Sequence, residues 1–189
     1  MSNEEKKRDI GKQIREEAFS IPNLLSYFRL LLIPVFIVLY VHEEFTAALI
    51  TLAVSGLSDI LDGRIARSRN LITNFGKFMD PIADKLLTHT AFIMLTAIGR
   101  LNVTACIIFI AREFVVSGLR LCAVEQGHVI AAGMSGKIKT VLQMMLVVVL
   151  TITGEGLLPA LLTIAASVMT LYSMCEYVWQ NRSVLGGAK

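Results

Sequence analysis

Apolar residues run through this chain in six long stretches, at approximately 22–41, 45–66, 80–99, 103–123, 137–153 and 157–179. Polar punctuation separates most of them: His42-Glu43-Glu44, Gly99-Arg100-Leu101-Asn102, Gln126-Gly127-His128, and Gly154-Glu155-Gly156 ahead of Pro159. A helix that crosses a bilayer needs about 20 residues. Five of the stretches meet that length and 137–153 lies near its lower limit. The pattern therefore predicts an all-α, polytopic membrane protein built as a six-helix bundle. Pro22 and Pro81 are expected in helix first turns, where a missing N–H costs nothing. No internal repeat or low-complexity run is visible. The expected organisation is one six-helix domain over 21–182, preceded by the segment 1–20 and followed by a cytoplasmic tail, 183–189.

Composition strengthens that picture. The chain is 54% hydrophobic and 17% charged, against about 45–50% and 25% in soluble domains, and its mean hydropathy is +0.64. A formal net charge of +3, with no pattern of aromatic and basic residues for stacking, argues against a nucleic-acid binder. Cys106, Cys122 and Cys175 form no CxxC motif and read as packing. His42, His89 and His128 are scattered, and Met144, Met145, Met169 and Met174 read as bundle filling.

The first 20 residues lack the apolar core of a cleavable signal peptide. Ile10, Ile14 and Ala18, with Phe19 beside them, recur among Lys6, Lys7, Arg8, Lys12 and Arg15. That suits an amphipathic helix lying in the interface of an anionic leaflet, with a solvated tail as the rival reading. Basic residues also set orientation. With the N-terminus cytoplasmic, the outward turns hold only Arg100, with Glu43, Glu44 and Glu155, whereas the inward segments hold the basic residues of 6–15, Arg64, Arg67, Arg69, Lys77, Lys85, Arg120, Lys137, Lys139, Arg182 and Lys189. Six spans then return the C-terminus to the cytoplasm, which fits a multi-pass protein of the cell membrane.

Against this background four aspartates stand out. They form Asp59-x-x-Asp62-Gly63-x-x-Ala66-Arg67, then eight residues, then Gly76-x-x-x-Asp80-x-x-x-Asp84. On helices, spacings of three and four place Asp59 with Asp62, and Gly76 with Asp80 and Asp84, on common faces. Carboxylates at the edge of lipid are functional suspects, and several converging ones repel unless cations neutralise them. Oxygen ligands suit Mg²⁺ or Mn²⁺, and two such ions about 3.5–4 Å apart can clamp a transferring phosphoryl group. Simple pairing with Arg67, Arg69, Lys77 and Lys85 leaves the regular spacing unexplained. Gly63, Ala66 and Gly76 leave room for a flat ligand, and Arg67 can fork onto a diphosphate. Gly56 and Ser55 are read as close helix packing.

The pattern DxxDGxxARx8GxxxDxxxD resembles, without departure, the signature of the CDP-alcohol phosphatidyltransferase family. The resemblance implies six transmembrane helices, often a homodimer, and a two-metal site. There a CDP-linked lipid donates its phosphatidyl group to an alcohol and CMP departs. It implies Asp59, Asp62, Asp80 and Asp84 as metal ligands and Asp84 as general base on the acceptor hydroxyl. Asp62, Gly63, Ala66, Arg67 and Gly76 would border the CDP-lipid. An alcohol is a weak nucleophile, so a carboxylate placed to take its proton agrees with that role.

The flanking segments Ile21 to Phe36, Ala111 to Arg120 and Gly136 to Met144 resemble the phosphatidylglycerophosphate synthase branch of the family. That branch implies CDP-diacylglycerol as donor and glycerol 3-phosphate as acceptor. Arg112, Arg120, Lys137 and Lys139 suit a dianionic acceptor. Positive-inside anchoring is the rival for the lysines, and pairing with Glu113 is the rival for Arg112. Asn23 and Arg29 are further candidates on the nucleotide side. Two alternatives remain: a cardiolipin synthase of the same family with phosphatidylglycerol as acceptor, and an ion-coupled transporter. Transporters tend to place their acids near the midplane on broken helices.

Overall fold

The computed structural model describes residues 21–68, 74–127, 130–131 and 133–186, and for 21–23, 60–68, 74–81, Asp84 and Leu185 the backbone alone. The segment 1–20 and its expected interfacial helix lie outside the described residues. Every regular element among those described is helical: α1 Ile21–Val41, α2 Phe45–Ser68, α3 Asn74–Ala97, α4 Val103–Glu125, α5 Met134–Thr153, α6 Leu157–Gln180 and the short α7 Arg182–Leu185. Among the described residues, three stretches are long and apolar enough to cross a membrane, Leu24–Val41, Met134–Thr153 and Leu157–Gln180. The remaining long helices, α2, α3 and α4, carry the four motif aspartates, Arg67, Arg112 and Arg120, while Lys137 and Lys139 lie on α5 and Arg29 on α1.

Two boundaries differ from the hydrophobic pattern. Helix α3 begins at Asn74, so Pro81 falls in its interior and not in its first turn. Pro34 likewise sits inside α1. Helix α2 also runs on to Ser68, past the last apolar residues. Hydropathy marks where a helix meets lipid; the hydrogen-bonded ladder continues into polar sequence. Interior prolines are tolerated where neighbouring groups can satisfy the freed carbonyl.

The fold divides into two compact units, residues 1–91 and 92–189, with the boundary inside α3. In the first, α1 packs on α2. Tyr40 is the pivot of their junction: its ring centroid lies 5.2 Å from that of Phe36 and 5.3 Å edge-on from that of Phe45. The chain reverses at Glu43, whose φ of 61° puts a non-glycine residue in the left-handed region.

In the second unit, α6 packs against both α4 and α5, and α7 folds back on α4. Phe92 and Phe109, with ring centroids 5.0 Å apart, join the end of α3 to α4. Asn102 caps α4 by accepting a 2.7 Å hydrogen bond from the Thr104 N–H. Arg100 donates to the carbonyls of Leu150 and Thr151, placing a cation on the unsatisfied end of α5. Burial runs opposite to that of a water-soluble bundle. Arg29, Arg112, Lys139, Gln143, Thr170 and Ser173 are buried, while Phe114 is 71% and Leu157 78% exposed. Apolar outward faces with polar groups turned inward are what a lipid solvent selects.

Candidate functional site

The aspartate motif falls on two helices. Asp59, Asp62, Gly63, Ala66 and Arg67 lie on α2 at positions i, i+3, i+4, i+7 and i+8, one face of a continuous helix. Gly76, Asp80 and Asp84 lie on α3 at i, i+4 and i+8, again one face. Asp59 is the member whose side chain is described. Its Oδ1 accepts an ion-paired hydrogen bond from Nη1 of Arg29, thirty residues earlier on α1. Arg29 is fully buried, and its Nη2 also donates to Ser26 Oγ at 3.2 Å. The Asp59 side chain remains 44% exposed.

That asymmetry bears on metal binding. A buried guanidinium fork grips one carboxylate oxygen, while nearly half of the side chain stays accessible. Such an outer partner fixes the orientation of a ligating carboxylate without consuming its coordinating capacity. An all-carboxylate donor set also fits a hard divalent cation. Among the described side chains no three His, Cys, Asp or Glu come together; Asp62, Asp80 and Asp84 are outside that set. Arg29 was a peripheral candidate in the sequence, and its pairing with Asp59 moves it beside the motif.

The basic candidates belong to the second unit. Arg112, on α4 and 7% exposed, donates through Nη1 to Glu113 Oε1 at 2.7 Å and through Nη2 to Ser173 Oγ at 2.9 Å. Lys139, on α5 and 3% exposed, forms an ion pair with the same Glu113 oxygen. One carboxylate thus gathers two buried cations, leaving the trio with one net positive charge. Arg120 lies about two turns further along α4; its Nε donates to Tyr177 Oη at 2.8 Å, with the guanidinium carbon 5.5 Å from that ring centroid. Lys137 is exposed and joins none of these contacts. The rival sequence reading of Arg112, pairing with Glu113, is therefore realised, and it coexists with a buried positive cluster.

Ser173, Tyr177, Gln143 and Thr170 escaped the sequence reading. Gln143 Nε2 donates to Thr170 Oγ1 at 3.1 Å, next in line along the α5–α6 contact. A signal existed: Gly136, Lys139 and Gln143 on α5, and Thr170, Ser173 and Tyr177 on α6, each recur at i, i+3, i+7 within apolar runs. Small and polar residues at that period mark a buried helix seam in lipid.

The chain was compared with known proteins. The family model described as CDP-alcohol phosphatidyltransferase matches residues 19–176. A Bacillus subtilis protein named CDP-diacylglycerol–glycerol-3-phosphate 3-phosphatidyltransferase is 41% identical over 137 residues, 65% of this chain and 71% of its own. Relatives of the same name from Rickettsia typhi and Shigella flexneri serotype 5b are each 37% identical. The former aligns over 72% of this chain and 79% of its own length, the latter over 88% and 97%.

Proposed function

The chain belongs to the CDP-alcohol phosphatidyltransferase family, and from that premise we propose that it transfers the phosphatidyl group of CDP-diacylglycerol to glycerol 3-phosphate, giving phosphatidylglycerophosphate and CMP. The observation that carries this reading is the unbroken aspartate motif, set in one helical phase on α2 and in one on α3. The shared name of the relatives supports the choice of donor and acceptor.

In this reading Asp59, Asp62, Asp80 and Asp84 would hold two divalent cations, Mg²⁺ or Mn²⁺. Bound there, they supply neutralisation of the diphosphate and of the charge that develops on departing CMP. Arg29 keeps Asp59 oriented for that duty. Arg67 forks onto the diphosphate, and Gly63, Ala66 and Gly76, beside Asp62, leave the backbone open to the nucleotide. Asp84 accepts the proton from the acceptor hydroxyl as its oxygen bonds to the phosphorus that carries the diacylglycerol. The bond from that phosphorus to the CMP oxygen breaks, and CMP leaves with the electron pair. Arg112, Arg120, Lys137 and Lys139 bind the acceptor's phosphate. The six long helices span the cell membrane, both termini and the site face the cytoplasm, and the protein works as a homodimer.

An acceptor panel with radiolabelled CDP-diacylglycerol tests the assignment. Label is expected in phosphatidylglycerophosphate when glycerol 3-phosphate is supplied. Label in cardiolipin with phosphatidylglycerol, and none with glycerol 3-phosphate, would reassign the acceptor.

A further inference from the structure

Arg112 is buried and held on two sides within the second unit, and its constraint is incomplete. Nη1 is satisfied by Glu113 from its own helix and Nη2 by Ser173 from α6. Nε is buried and has no hydrogen-bond partner among the described residues. A buried guanidinium N–H left unmet carries a desolvation cost that an incoming anion would remove. The third side of the cradle is Gly136 on α5. A Cβ built there would stand 3.2 Å from Arg112 Nη2 and 3.9 Å from Ser173 Oγ. The first distance is tighter than ordinary contact, so a side chain at 136 would require the guanidinium to shift by a few tenths of an ångström.

We infer that Ser173 and Gly136 are positioning residues for the acceptor. Ser173 fixes the rotation of the Arg112 fork, Gly136 leaves the space that the fork occupies, and together they present Nε to the phosphate of glycerol 3-phosphate. Ser173 is 1% exposed, and its hydroxyl oxygen serves Arg112 across the α4–α6 contact. Glu113, shared with Lys139, keeps the pair of cations from repelling one another. The inference rests on the glycerol 3-phosphate reading. It adds two residues that touch neither substrate and act through Arg112.

Kinetics of the full-length protein in detergent micelles, with donor and acceptor each varied, test it. Ser173→Ala should raise the acceptor KM roughly tenfold, the scale set by one lost hydrogen bond to a charged group. It should leave the donor KM within twofold, and Ser173→Thr, which keeps the hydroxyl, should restore the acceptor KM. Gly136→Ala should raise the acceptor KM while leaving the thermal midpoint at or above that of the parent, because helix propensity favours alanine. A role confined to helix packing would give the reverse, a lowered midpoint with both KM values unmoved or moved together, and would overturn the inference. So would an unchanged acceptor KM in both alanine variants of an active enzyme. A parent protein that releases no CMP with glycerol 3-phosphate would instead overturn the functional reading, and this inference with it.

Discussion

At the scale of single residues, the proposed chemistry hangs on carboxylates whose neighbours determine what they can do. Asp84→Asn should largely abolish turnover while leaving metal-dependent binding of the CDP-lipid partly intact, because the amide keeps the shape but cannot take the proton. Single-turnover rates beside donor binding check this, and near-normal turnover would remove Asp84 as the base. Arg29 has a different part. Its grip on Asp59 is an outer contact, and losing such a partner typically costs about 10- to 100-fold in metal affinity. Arg29→Met, which keeps much of the volume, should therefore raise the Mg²⁺ concentration needed for half-maximal activity by a factor in that range. An unchanged metal requirement would make the Arg29–Asp59 pair a packing contact. The candidate aspartates stand out in the sequence by their own spacing. Arg29 was only partly legible there, since its meaning depends on how α1 is rotated against α2.

Elements show where hydrophobic patterning stops being informative. Each of the six apolar stretches overlaps a long helix among the described residues, three of which hold a stretch long and apolar enough to cross a membrane, yet α3 starts six residues before its apolar run and carries Pro81 inside it. Patterning reports the solvent a residue meets, and the backbone ladder has no need to end where lipid does. The α5–α6 seam was harder to read. Gly136, Lys139 and Gln143 come to face the Thr170 and Ser173 side of α6 only once α5 and α6 are docked in register, and a single sequence does not state the register. Turns carry strain of their own. Glu43 holds φ 61° between α1 and α2, a conformation that costs an L-residue about 1–2 kcal/mol and glycine little. Glu43→Gly should stabilise the protein by about 0.5–1 kcal/mol after glycine's greater chain entropy is counted. Denaturation in micelles reads this, and a loss of stability would mean that Glu43 makes a compensating contact.

For the whole molecule, solvent decides the layout. Buried arginine, lysine and glutamine beneath outward leucine, isoleucine and phenylalanine would be a poor arrangement in water and a good one in lipid. The proposed orientation sets the site at the cytoplasmic face, where a water-soluble nucleotide and acceptor can meet a donor whose acyl chains stay in the membrane. Fold class and donor chemistry were legible because composition and a long motif each speak to one of them. The acceptor was less so, because it depends on which basic side chains stay available to an anion after the bundle has formed. The claim at the centre is metal-dependent phosphatidyl transfer, and release of CMP from CDP-diacylglycerol by the purified protein measures it directly. We expect CMP only when both a divalent cation and glycerol 3-phosphate are present, with none after chelation. Ion flux through reconstituted protein that needs no divalent cation, with no CMP formed under any condition, would contradict it.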